Sequence, residues 1–199
     1  MGERAGVRVH PTAEVAPDAE IGPGTSIWNQ AQVRAGARIG AGCIIGKNVY
    51  VDTGVVIGER VKVQNNVSLF RGVTVEDGAF IGPHVCFTND RVPRAINLDG
   101  SPKTNADWVV SPTLVRHGAA LGANATILPG IVIGRWAMIG SGSVVIRDVA
   151  DHELVAGNPA RRLGGACPCG QPLRDGDDGG RYAGPCPRCG APFPPEDVG

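Results

Sequence analysis

Four cysteines near the C-terminus carry the plainest chemistry in this chain: Cys167-Pro-Cys169-Gly and Cys186-Pro-Arg-Cys189-Gly. Thiolates so spaced form two knuckles that can close a tetrahedron around one Zn2+. The second knuckle has the usual CxxCG form, and the first, CxCG, is one residue shorter. Four protein thiolates leave no open coordination position, so the expected Zn2+ is structural. A segment this short builds too small a core to fold without it. Four histidines, His10, His84, His117 and His152, offer general bases near neutral pH. Three consecutive carboxamides, Gln64, Asn65 and Asn66, supply a cluster of neutral donors and acceptors.

Such groups need a scaffold to position them. An aliphatic residue, once a Phe, falls on every sixth position: Val9, Val15, Ile21, Ile27, Val33, Ile39, Ile45, Val51, Ile57, Val63, Leu69, Val75, Ile81 and Phe87. Neither a helix nor an alternating strand gives that repeat. A fixed short period marks a solenoid, and hexads mark a parallel β-helix. Counting each guide residue as i, position i+3 is Gly or Asn in most repeats (Gly24, Gly36, Gly42, Asn48, Gly54, Asn66, Gly72, Gly78). These types tolerate the positive φ of a tight corner. Position i+4 is small or β-branched and points inward with the next guide residue, because strand side chains alternate. Cys43 is then a core residue, and Cys86 faces outward beside the loop with nothing to activate its thiol. Each hexad is a short strand plus a corner, and three hexads make one triangular turn.

The ladder stops after Phe87 and resumes near Val109. It then runs through Val115, Leu121, Ile127, Ile133, Ile139 and Val145, with corners at Gly118, Asn124, Gly130 and Gly142. Residues 88–108 between the two runs are polar, hold two prolines and lack the period. A loop of that length without structure of its own is usually functional. After Val145 the pattern fades into a closing segment that should cap the exposed strand edges. From Gly164 the composition turns to Cys, Pro, Gly and Asp. The expected domains are therefore 1–163, the coil with its loop, and 164–199, the ribbon tail. His10 and His152, near the coil's ends, are expected at the surface. Lys+Arg and Asp+Glu balance at 19 each, which gives no general field for nucleic acid. No stretch has the length of a signal peptide's apolar run or a membrane span, so a cytoplasmic protein is expected. In that compartment cysteines serve as thiols or metal ligands rather than disulfides.

The hexads of type [aliphatic]-G-x-[G/N]-[small]-x, the interrupting loop and the closing AGNPA segment resemble the left-handed β-helix acyltransferases over residues 9–163. The resemblance implies an all-β fold, a left-handed parallel β-helix, here with a small C-terminal zinc ribbon; the hand comes from the family. Five strings, IGKNVYV (45–51), VKVQNNVSLF (61–70), IGPHVCFTND (81–90), GAALGANATILPGIVIGRWAMIGSGSVV (118–145) and GNPAR (157–161), are similar to nucleotide-sugar N-acetyltransferases. Those enzymes acetylate a 3-amino group on a UDP- or dTDP-linked sugar with acetyl-CoA. The resemblance implies a homotrimer with active sites between neighbouring coils, acetyl-CoA along the C-terminal coils and the nucleotide sugar near the loop. The Asn that ends the FTN string, Asn89, would orient the amine. His84, at the corner before that string, is the candidate base or substrate contact. Gln64, Asn65, Arg71 and Arg94 are assigned to the substrate, with Arg71 placed to meet a phosphate. His117, Gly122, Ala123, Ala125, Gly140, Ser141 and Arg161 are assigned to CoA, the Arg161 fork suiting a phosphate.

Acetyl transfer of this kind requires a neutral amine, a thioester held beside it and stabilisation of the developing oxyanion. A γ-type carbonic anhydrase uses the same coil but requires three histidines on a shared metal, and only His84 and His117 lie in the middle turns. An acyltransferase for another small amine or hydroxyl acceptor fits the same motifs. A non-catalytic trimeric scaffold would leave the loop and GNPAR without purpose.

Overall fold

The structure, a computed structural model, describes residues 6–176 and 180–193. All its regular elements among those residues are β-strands. Strands of two or three residues alternate with corners, and the coil they form is a three-sided parallel β-helix. Sheet A begins with Arg8–Val9, Ser26–Ile27 and Ile44–Ile45; sheet B with Glu14–Val15, Gln32–Val33 and Tyr50–Val51; sheet C with Glu20–Ile21, Arg38–Ile39 and Val56–Ile57. Each residue lies against the one eighteen places on, as Ser26 against Ile44, so three hexads make a turn.

The burial alternation explains the period. Guide residues and i+4 residues fill the interior: Ile45, Val51, Val63, Leu69, Ile81 and Phe87 are fully buried, as are Cys43, Val67 and Val85. Each large aliphatic side chain so buried contributes about 1.5–3 kcal/mol. In the first described turn Val9 stays 39% exposed. The expected Gly and Asn corners all have positive φ, from Gly72 at 95° down to Asn48 at 56°, with Asn66 at 61°. Gln30, Arg60, His84 and Trp136 take the same conformation at the same corner position, without the usual residue types. Several turns also carry a glycine just after the guide residue. A Cβ on Gly40 would lie 2.6 Å from the carbonyl of Gly58 on the next turn, so at this edge the turns stack this closely only because that atom is missing.

The loop leaves sheet B after Cys86–Phe87 and the chain re-enters at Thr113–Val115 of sheet C. Cys86 pairs with Ser68, eighteen residues before it, and with Thr126, forty after it. The loop therefore extrudes residues without disturbing the register on either side. Val109, expected where the ladder resumes, is 84% exposed and still in the loop, which runs to 112. It is Val110 that anchors the return, covering Gly72 on the turn below. The loop also has structure of its own: Asn97 N–H donates to Ser101 O at 2.8 Å, Lys103 N–H donates to Ala95 O at 3.0 Å, and Ile96 bridges Pro102.

Beyond the coil, Glu153–Gly157 joins sheet A in parallel. Ala160–Ala166 folds back on it, and Pro172–Arg174 adds a further antiparallel strand. The boundary expected between 163 and 164 thus falls inside a continuous strand. Of the expected tail, 177–179 and 194–199 lie outside the described residues.

Two glycine substitutions separate the two corner constraints. Gly36 has φ 66° and open space around its Cβ position. Gly36→Asn should shift unfolding by no more than about 0.5 kcal/mol, because Asn tolerates that region. Gly40→Ala meets backbone and should lose about 1–3 kcal/mol in denaturant unfolding.

Candidate functional site

The corners stack into three edges, and the residues expected to carry chemistry divide among them. The edge between sheets A and B carries Gln64, Asn65 and Asn66, then His84, then Gly122 and Ala123, then Gly140 and Ser141. On this edge the backbone N–H two places past a guide residue is capped from the next turn at Lys47, which donates to Asn65 Oδ1 at 2.9 Å. The edge between sheets C and A has the same cap twice, with Glu59 N–H on Asp77 Oδ1 at 2.8 Å and Arg135 N–H on Asp151 Oδ1 at 2.6 Å. At Ala123 and Ser141 no partner among the described residues takes that N–H. Two backbone donors are therefore left free side by side on one groove, where they can bind an amide carbonyl or an oxyanion.

The groove is narrow because it is glycine-lined. A Cβ on Gly122 would lie 2.5 Å from Ser141 N, and one on Gly140 would lie 2.6 Å from Ala156 Cβ. Ser143, fully buried, braces it by donating to Gly140 O at 2.6 Å and accepting from Gly157 N–H at 3.2 Å. Ala156 pairs with Arg161, so the same row ends on an exposed guanidinium. Ala125 does not join it. That residue is fully buried, its N–H donates to Gly122 O and its carbonyl accepts from Cys86 N–H, so nothing remains for a ligand.

Higher on this edge, Asn48 Nδ2 donates to Asn66 Oδ1 at 3.0 Å, and Asn66 Nδ2 lies 3.2 Å from His84 Nε2. With the carboxamide oriented that way, His84 Nε2 is the acceptor and Nδ1 carries the proton. Nε2 is occupied, and His84 reaches a ligand as a donor through Nδ1 rather than as a ready base. Asn65 is likewise committed, its Oδ1 capping Lys47. The Gln64 side chain is half-buried and has no partner among the described residues.

The edge between sheets B and C carries Asn89, where the loop departs. Its Nδ2 donates to the carbonyl of Arg71 at 3.4 Å, leaving Oδ1 as an acceptor. Asn89, Asp90, Arg94, Lys103, Thr104, Asn105 and Trp108 line an open hollow of about 280 Å³. Asp90 accepts Val92 N–H at 2.8 Å, and the wall presents two cations beside that one carboxylate, an indole, a hydroxyl and neutral amides. This is a lining suited to a phosphorylated, ring-bearing ligand. A larger hollow of about 400 Å³ on the outer face of sheet B, by Glu14, Gln32 and Arg34, contains none of the residues expected to act.

His117 stands on the third edge, between sheets C and A, apart from the other residues assigned to CoA. Its N–H donates to Glu76 Oε2 at 2.8 Å, and its ring meets Trp136 edge-on at 5.2 Å. Further along that edge His152 is half-buried rather than on the surface. Its ring approaches Phe193 at 6.2 Å, and its Nδ1 lies 3.2 Å from Ala166 O.

The four cysteines converge as expected. All four Sγ atoms lie within 4.8 Å of one another, with Cys167–Cys189 at 3.6 Å and Cys169–Cys186 at 3.7 Å. A tetrahedron with bonds of about 2.3 Å places its sulfurs about 3.8 Å apart, whereas a disulfide is about 2.05 Å long. The quartet therefore fits a metal ion. Gly170 and Gly190, at φ 87° and 74°, close both knuckles onto the carbonyls of Cys167 and Cys186, so the shorter first knuckle folds like the second. Burial pushes the Cys167 thiol up to about 12. Cys186, against its own burial, is drawn down to about 7 by the N–H groups of Cys189 and Arg188.

Residues 36–71 and 112–147 match the family described as bacterial transferase hexapeptide (six repeats). The chain is a hexapeptide-repeat β-solenoid. It is similar to dTDP-3-amino-3,6-dideoxy-alpha-D-galactopyranose 3-N-acetyltransferase of Aneurinibacillus thermoaerophilus, 50% identical over 62 residues, or 31% of this chain and 32% of that protein. It is 36% identical over 97 residues to serine acetyltransferase of Escherichia coli, covering 47% of this chain and 34% of that one. The chain thus spans about a third of each of these curated relatives. Among solved structures, a hexapeptide-repeat acetyltransferase of Vibrio cholerae in complex with acetyl coenzyme A superposes with a TM-score of 0.55 at 25% identity, covering 65% of this chain and 70% of that one.

Within the solenoid, the sequence missed the hollow's Lys103, Thr104, Asn105 and Trp108, which have no period to point to them. It also missed the free N–H groups of Ala123 and Ser141. Their signal is the lack, eighteen residues on, of an Asn or Asp to cap them. For the cysteine quartet, the purified protein should retain about one zinc ion per chain by elemental analysis. Replacing both Cys186 and Cys189 by Ser should remove it and expose Phe193, read as new binding of an apolar dye. A metal-free native protein would refute the site.

Proposed function

We propose that this solenoid is an acetyl-CoA-dependent N-acetyltransferase acting on the 3-amino group of a UDP- or dTDP-linked amino sugar. The observation that carries the reading is the 50% identity to a dTDP-3-amino-sugar 3-N-acetyltransferase. The loop hollow and its cations fit that substrate, and the Vibrio relative's complex supports acetyl-CoA. The cysteine quartet holds Zn2+ as a structural ion. Both substrates belong to the cytoplasm.

The pantetheine arm lies along the glycine-lined groove, its phosphates toward Arg161. Asn89 Oδ1 accepts a hydrogen from the sugar amine and aims its lone pair at the thioester carbonyl. The N–C bond forms, and the oxyanion is met by the free N–H of Ala123 or Ser141. The C–S bond then breaks, and the leaving thiolate takes the proton released by nitrogen. A sugar ammonium must first lose a proton, but its pKa is low enough that a strong base is not required, which agrees with His84 serving as a donor.

Asn89 and the groove lie on different edges of one prism, so a single chain does not complete the site. A homotrimer that sets one copy's loop edge against its neighbour's groove does, and would bring His117 in from a third edge. A hydroxyl acceptor is the second reading, favoured by the likeness to serine acetyltransferase.

Thiol release from acetyl-CoA, measured with a panel of UDP- and dTDP-3-amino sugars and with serine, tests the acceptor. Turnover with serine alone selects the second reading, and no turnover with no calorimetric acetyl-CoA binding sinks both. Asn89→Ala should lower kcat/KM about a hundredfold with the oligomer intact. Mixed refolding of Asn89→Ala with Arg161→Ala chains should recover activity, because hybrid trimers contain intact sites; no recovery would place both residues on one chain's site.

A further inference from the structure

We propose that the cysteine ribbon fixes the position of Arg161, so that metal binding and acetyl-CoA binding are coupled through the strand Ala160–Ala166. The inference rests on the acetyl-CoA reading above and goes beyond it by giving the ribbon a part in that site.

One strand carries both functions. Arg161 stands near its start, and Cys167, a metal ligand, follows its last residue. One side of the strand pairs with Glu153–Gly157, where Arg161 meets Ala156 and, through it, Gly140 of the groove. That pairing shifts register between Leu154 and Val155. Its other side is held by the ribbon. Gly164, Gly165 and Ala166 pair with Arg174, Leu173 and Pro172. Leu173 belongs to a small core with Cys167, Cys186 and Phe193.

Asp175 ties the ribbon to the residues beside Arg161. Its carboxylate accepts from Arg162 Nε at 2.9 Å and Nη2 at 3.3 Å, a forked pair that is mostly shielded from solvent. Its own N–H donates to Leu163 O at 3.0 Å, and it accepts Tyr182 N–H at 3.1 Å. Arg161 has only a weak tie of its own, Nη1 to Ala160 O at 3.1 Å. Its fork is free for a phosphate, and its direction is set by the backbone on which it sits. Gly165 completes the fit: a Cβ there would strike the Phe193 ring, so the ring lies directly on the strand.

A core of this size does not hold together without its metal. With the metal gone, Pro172–Arg174 keeps only its three backbone pairings and the Asp175 contacts, and the strand bearing Arg161 loses the ribbon core packed against it. Acetyl-CoA must then order that strand as it binds. By linkage, whatever affinity the metal lends to acetyl-CoA, acetyl-CoA lends to the metal.

The test compares acetyl-CoA affinity by calorimetry for the zinc-loaded protein, the protein stripped by chelator, and zinc-loaded Asp175→Asn. Stripping should weaken acetyl-CoA about tenfold, within the usual range of coupling between sites. Zinc affinity, from chelator competition, should rise by the same factor when acetyl-CoA is present. Asp175→Asn should keep about one zinc per chain and still bind acetyl-CoA several-fold more weakly, which preserves the test if stripped protein aggregates. Equal affinities in all three forms would overturn the coupling alone. No binding even by the zinc-loaded wild type would overturn the acetyl-CoA reading and the coupling with it.

Discussion

The coil depends on one restriction: each of its residues must lie directly above another one turn away, eighteen places on wherever no loop intervenes. Main-chain hydrogen bonds run along the coil axis from turn to turn, so a corner can stack only on a corner. That forces positive φ at one place in most hexads and removes the Cβ at another in several, and it leaves the sheets to be filled by aliphatic side chains. The hydrophobic ladder is the visible trace of a hydrogen-bonding requirement. Few polar groups enter the core, and those that do are bonded, as Thr25 is to Gly40 O at 2.8 Å and to Cys43 N–H at 3.0 Å.

Vertical stacking also explains where binding capacity arises. A corner whose N–H is capped from the next turn is finished and inert, as at Lys47 beneath Asn65. A corner whose next turn offers no cap is left with a donor facing the groove, as at Ala123 and Ser141. The residues proposed to act stand where the repeat is incomplete: at uncapped corners, at a loop, and at the coil's end.

This distribution accounts for what could be read from the sequence. The fold was almost wholly legible, because one periodic rule governs both the interior and the corners. Cys43 inward, Cys86 outward and the positive φ of Asn48 and Asn66 all followed from counting. The site was legible only in part, because the period says which corner a residue occupies but not what stands above it. Asn65 looked like a substrate ligand and is a cap; Ala125 looked like part of the groove and is core; His117 shares a segment with the CoA residues yet stands on another edge. Val109 kept the six-residue step by coincidence while standing in solvent. Composition marked a boundary at 164 where the backbone continues unbroken, since a change of residue type says nothing about whether a strand has ended.

The extruded loop has a consequence for how such a chain can change. Anywhere in the coil, adding or removing one residue would turn every later side chain to the wrong face, so the scaffold accepts length changes only in whole turns. At the corner after Phe87 the rule is suspended: Ser68, Cys86 and Thr126 stay aligned whatever length lies between the last two. The loop side of the protein can therefore be rewritten freely in sequence and size, while the glycine-lined edge stays bound to an unforgiving metre. Novelty on one side and constancy on the other are built into where the chain is allowed to lose count.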